Sequence, residues 1–63
     1  MSKKFFKTID SRNQIEVTYS NGCFSRTRYC DGEKMSNGEK IIAYEAAIIL
    51  GVRENELIKK VEE

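Results

Sequence analysis

Ile15-Glu16-Val17-Thr18-Tyr19-Ser20-Asn21-Gly22-Cys23-Phe24-Ser25-Arg26-Thr27-Arg28-Tyr29-Cys30 is the stretch on which the fold turns. Alternating residues on either side of Ser20-Asn21-Gly22 have the pattern of two β-strands joined by a tight turn. The length of that turn decides which side chains share a face, because a slip of one residue turns a whole strand over. A two-residue Asn21-Gly22 turn sets Ile15, Val17 and Tyr19 beside Arg28, Arg26 and Phe24, sending two arginines towards the core. A three-residue loop, Ser20-Asn21-Gly22 with Gly22 left-handed, pairs them instead with Thr27, Ser25 and Cys23. The three-residue loop keeps both guanidinium groups in water, so it is the expected register.

Working outward, residues 3–10 read as a further strand. The same loop type at Ser11-Arg12-Asn13, with Asn13 left-handed, pairs Ile9 with Ile15 and Phe5 with Tyr19. The inner face is then Phe5, Ile9, Ile15, Val17, Tyr19, Cys23 and Tyr29, with Lys7 at its edge and no role for it. Lys4, Phe6, Thr8, Glu16, Thr18, Phe24, Arg26, Arg28 and Cys30 face outward.

Past the strands, Ser36-Asn37-Gly38-Glu39 has the spacing of a capping box, in which the serine oxygen accepts from an amide three residues on and the glutamate reaches back. It predicts a helix through residues 41–50, stopped by a left-handed Gly51. That helix is apolar on two stripes, Ile41, Tyr44, Ile48 and Ile42, Ala46, Ile49, Leu50, and one sheet covers only one of them. A second helix, from about Arg53 to Val61, turns Leu57, Ile58 and Val61 inward. The expected fold is α+β, a three-stranded antiparallel meander followed by two helices, as one small domain spanning residues 1–63.

Sixty-three residues bury only about 60% of the surface of the unfolded chain. Cores of this size rarely supply more than about 3–5 kcal/mol without a disulfide, a metal or a partner subunit. Cys23 and Cys30 lie seven residues apart on one strand, on opposite faces, and cannot bridge each other. Histidine is absent, so a metal site would need Cys23 and Cys30 from two subunits, or carboxylates in support. Met1-Ser2-Lys3-Lys4 is basic, yet Phe5-Phe6 is followed at once by Lys7, unlike a secretory signal. No apolar run approaches the roughly 18 residues of a membrane span. A cytoplasmic protein with reduced thiols, no membrane role and no cofactor is expected, and oligomerisation remains as the source of added stability.

Catalysis is not expected either. Without histidine there is no Ser-His or Cys-His pair and no usual proton shuttle at neutral pH. No phosphate loop or dinucleotide fingerprint occurs, and Gly22, Gly32, Gly38 and Gly51 each stand where a turn or cap explains them. The nearest reactive cluster, Cys30, Asp31 and Glu33, reads as solvated loop charge.

Binding is the function left. Net charge is +1, unevenly spread: residues 1–30 hold six basic and two acidic side chains, residues 31–63 five basic and eight acidic. Outward Phe6 and Phe24 rimmed by Lys4, Arg26 and Arg28 have the make-up of a protein-contact patch, aromatic and arginine-rich. Ile42, Ala46 and Ile49 form the helix stripe suited to self-association, so a homodimer is expected. The composition suits a phage or mobile-element accessory protein that inhibits or modulates a host factor.

Nucleic acid is the alternative partner. The strands-then-helix order resembles AP2-type and integrase arm-binding domains, which implies a basic sheet face laid on DNA. Ala47 four residues before Gly51, with Leu57 six after it, resembles a helix-turn-helix within residues 43–61. That resemblance implies a recognition helix led by Glu54 and Glu56, the wrong charge for phosphates.

Overall fold

In the computed structural model, which describes residues 2–62, three strands come first: β1 (Lys3–Thr8), β2 (Asn13–Ser20) and β3 (Cys23–Cys30). Two short strands, β4 (Glu33–Lys34) and β5 (Glu39–Ile41), then add to the far edge of β3 before helices α1 (Ala43–Leu50) and α2 (Glu54–Glu62). The α+β architecture, an antiparallel meander followed by two helices, is as expected, with a wider sheet.

The turn between β2 and β3 is the two-residue one. Asn21 and Gly22 have φ of 53° and 78°, the paired left-handed conformations of a type I′ turn, whose twist matches that of the flanking strands. Tyr19 therefore faces Phe24, Val17 faces Arg26 and Ile15 faces Arg28, and β3 is turned over relative to the expected register. Tyr19 and Phe24 pack ring on ring, their centroids 4.8 Å apart. Asp31-Gly32 repeats the device, with φ of 52° and 81°, and carries β3 back into β4.

The first connection is also shifted. Its loop residues are Asp10-Ser11-Arg12, and Asn13 already belongs to β2, without a positive φ. Asp10 organises this loop by accepting from the Arg12 and Asn13 amides, both at 2.8 Å. Phe5 consequently faces Val17 rather than Tyr19, a slip of two residues that keeps the faces of β1 as expected. Ile9 lies beyond the strand end and is exposed, not part of the core.

The capping-box reading of Ser36-Asn37-Gly38-Glu39 is overturned. Glu39 is in β5, and α1 starts at Ala43 with no side-chain cap. Ser36 does accept a backbone hydrogen bond, but from the Arg28 amide at 3.1 Å. The Met35 amide donates to the Arg28 carbonyl at 2.8 Å. Between β4 and β5 the register on β3 slips by two residues, and the serine oxygen serves Arg28 there in place of a ladder carbonyl.

Val17, Phe24, Ile41, Ala46, Ala47, Leu57 and Val61 form the buried core, with Phe5, Ile15, Tyr19, Ala43, Ile49, Leu50 and Val52 packed around it. Ala43, Ala46, Ala47 and Leu50 recur at helical spacing, and the small side chains among them let α1 lie close to the sheet. Gly51, at φ 70°, ends α1 as expected. The Gly51 amide donates to the Ile48 carbonyl and the Val52 amide to the Ala47 carbonyl, which is the Schellman arrangement. In α2, glutamates in the first turn and lysines in the last complement the helix dipole.

Candidate functional site

The five residues expected to form one contact patch divide between the two faces of the sheet. Lys4 and Phe6 lie on the outer face, Phe6 63% exposed. Phe24 is 6% exposed beneath the helices, because Asn21-Gly22 turns its strand over. Arg26 and Arg28 share that inner face. The expected patch of Lys4, Phe6, Phe24, Arg26 and Arg28 therefore does not exist as a surface.

What brings two arginines to the inner side is a limit of coverage. The helices roof the sheet around Phe5, Val17, Phe24 and Ile41, whereas further along β3, towards Arg26 and Arg28, and at Glu39 where β5 begins, the roof ends. Glu39 answers the charge there. Its carboxylate accepts from Arg26 Nη2 at 2.8 Å, and its other oxygen is 3.7 Å from Arg28 Nη2. The hydrogen bond from Arg26, then its charge, hold the Glu39 carboxyl below the usual range. Arg26 Nε is buried with no hydrogen-bond partner among the described residues. Lys7, also on the inner face and exposed, now has its explanation: it too stands outside the roof.

At the turn end of β2, Arg12 Nε and Nη2 donate to Asp31, the shorter bond at 2.7 Å, and this pairing raises the Arg12 pKa. The Asn13 side chain, then the Arg12 and Asn13 amides, lower that of Asp10. These are hairpin clamps, remote from any cleft.

On the outer face, Thr18, Ser25, Thr27 and Tyr29 form a hydroxyl-rich middle with Glu16, and Lys4, Lys34 and Lys40 lie towards its edges. Thr27 is buried, close to Gly38, where an added Cβ would lie 3.7 Å from its hydroxyl. Cys23 and Cys30 are free thiols on opposite faces, with the faces exchanged relative to expectation.

The self-association stripe of Ile42, Ala46 and Ile49 is also divided. Ala46 is fully buried in the core and Ile49 packs partly against it, leaving only Ile42 exposed. Exposed apolar area on α1 comes instead from Tyr44 and Ile48, 59% and 61% exposed, beside Ile42 at 62%. The recurring alanines were the sequence signal for this: they mark the side that approaches the sheet, which leaves the bulky residues outside. Among the described residues no helix is long and apolar enough to cross a membrane. No protein-family model, curated protein or solved structure matches this chain.

Proposed function

We propose that this chain is a non-catalytic protein-interaction domain that self-associates through α1 and acts by occupying the surface of a partner protein, such as a host factor it modulates or inhibits. The observation that carries the reading is a pair of large apolar side chains one helical turn apart, Tyr44 and Ile48, exposed on the same side of α1, with Ile42 also exposed just before the helix. Fully burying such side chains stabilises by about 1.5–3 kcal/mol each, a large gain beside the total available to a core this small. A second copy suits this face because α1 carries a single charge, Glu45, so two such faces meet without opposing charge clusters. Two of the seven core side chains are alanines, which limits what the isolated core buries and favours added burial in a subunit contact.

Sedimentation equilibrium over a concentration series tests this reading. A dimer is expected, and Tyr44→Ser with Ile48→Glu should raise its dissociation constant at least tenfold while the far-ultraviolet circular dichroism stays that of the folded domain. A monomer at every concentration removes the self-association. If a labelled oligonucleotide were bound in a salt-dependent way by that monomer, nucleic-acid binding would become the better reading.

A further inference from the structure

β1 is an outer strand, and its far side pairs with no described strand. The Ile9 amide donates to the Asn13 carbonyl at 2.9 Å. In the antiparallel alternation, odd-numbered residues of β1 therefore point their backbone groups at β2, while those of Lys4, Phe6 and Thr8 point away from the sheet. Six residues long, β1 offers three consecutive outward positions for pairing.

Beside it, between β1 and the α1–α2 corner, lies a pocket of about 200 Å³ lined by Phe5, Phe6, Leu50, Val52, Leu57 and Lys60. That is below the roughly 300–1,000 Å³ of small-molecule sites and suits one or two apolar side chains of a polypeptide. Charge narrows the choice of polypeptide. Arg12, Arg26 and Arg28 are ion-paired, whereas Lys4, Lys7 and Lys60 have no acidic partner among the described residues. A second copy of β1 would bring lysines against lysines, which disfavours pairing between copies.

We propose that the β1 edge and this pocket dock an extended acidic segment of a partner protein as an added strand. One apolar side chain of that segment enters the pocket, and flanking carboxylates meet Lys4, Lys7 and Lys60. Nucleic acid satisfies the lysines but has no amide repeat to pair with Lys4, Phe6 and Thr8. The surface is separate from the exposed face of α1, so this inference does not rest on self-association.

The test is amide hydrogen exchange by NMR on the full chain carrying Tyr44→Ser with Ile48→Glu, at a concentration where sedimentation finds this variant monomeric. The probe is an eight-residue peptide of glutamates with one central leucine, which presents carboxylates on both faces of an added strand; its controls are the same peptide with lysine for glutamate, and a single-stranded oligonucleotide. Saturation with the acidic peptide is expected to slow exchange at the Lys4, Phe6 and Thr8 amides at least tenfold, with neither control doing so. Thr8→Pro deletes one outward amide outside the β1–β2 ladder, a position where an edge strand tolerates proline. It should weaken the acidic peptide by about three- to tenfold, the worth of one hydrogen bond. Should Thr8→Pro fail to fold, Lys4→Glu with Lys60→Glu decides, and unchanged affinity there overturns the proposal. Unchanged exchange at the three amides, equal binding of the lysine peptide, or protection by the oligonucleotide overturns it as well.

Discussion

On the inner face of one sheet, the corner holding Tyr19, Phe24 and Ile41 and the corner holding Arg26, Arg28 and Glu39 are built from adjacent residues of the same strands, yet they follow different rules. At the first, α1 and α2 cover the strands, Phe24 and Ile41 are excluded from water, and stability comes from apolar burial. At the second the helices stop short, and Arg26 and Arg28 share the carboxylate of Glu39. A sheet face is thus apolar only as far as its cover extends. Alternation fixes the side on which a residue lies, and not whether that side is dry.

The largest effect should come from the covered corner. Phe24→Ala removes a buried ring, and such truncations cost about 3–5 kcal/mol, comparable with the whole stability of a domain this size. Urea denaturation followed by circular dichroism should find the variant largely unfolded without denaturant. A folded variant would mean that Phe24 is not central to the core.

Next is the turn that sets the contrast between the corners. Gly22→Ala keeps the chain length but places a Cβ at φ 78°, where L-residues are strained by roughly 1–2 kcal/mol. The added Cβ meets nothing within 4 Å, so a lowered melting temperature would come from backbone strain alone. An unchanged melting temperature would refute the left-handed turn and the register with it.

In the open corner the effects should be smaller and should depend on pH. The folded state holds the Glu39 carboxyl below its ordinary value, so the unfolded state takes up its proton first as pH falls. The stabilisation from this pairing is present above the unfolded pKa and is lost as pH drops through the lower, folded pKa. Glu39→Gln should therefore narrow its stability gap to the parent as the pH falls through the carboxylate range. A gap that stays constant from pH 7 to below pH 3 would show that Arg26 and Glu39 do not interact in solution. Arg28→Gln should matter least, within about 0.5 kcal/mol as for other exposed positions, because its guanidinium is mostly in water and its approach to Glu39 is long. Unfolding by this substitution would place Arg28 under the roof.

Much of the candidate surface was not legible beforehand, for a reason specific to Asn21-Gly22. The local chemistry of that dipeptide favours the two-residue turn strongly, whereas keeping both guanidinium groups off the inner face favours the three-residue loop. Only a roof over the whole inner face would require a dry environment for every residue on it. Glu39, the residue that makes the open corner tolerable, has in the sequence the spacing of a helix cap. The neutralising partner is thus not evident from local spacing. For α1, both apolar stripes were visible, and only the alanine pattern distinguished the buried one.

By itself the sequence determined the strands and their order, the helix stop at Gly51, the second helix and the α+β class, because these rest on periodicity and on residues with narrow backbone preferences. Tertiary structure alone decided how far the helices extend over the sheet, which face of α1 remains in water, and that residues 33–41 add two short strands to β3. Those outcomes depend on contacts between segments distant along the chain, where the same local pattern is compatible with a side chain buried, paired or left in solvent.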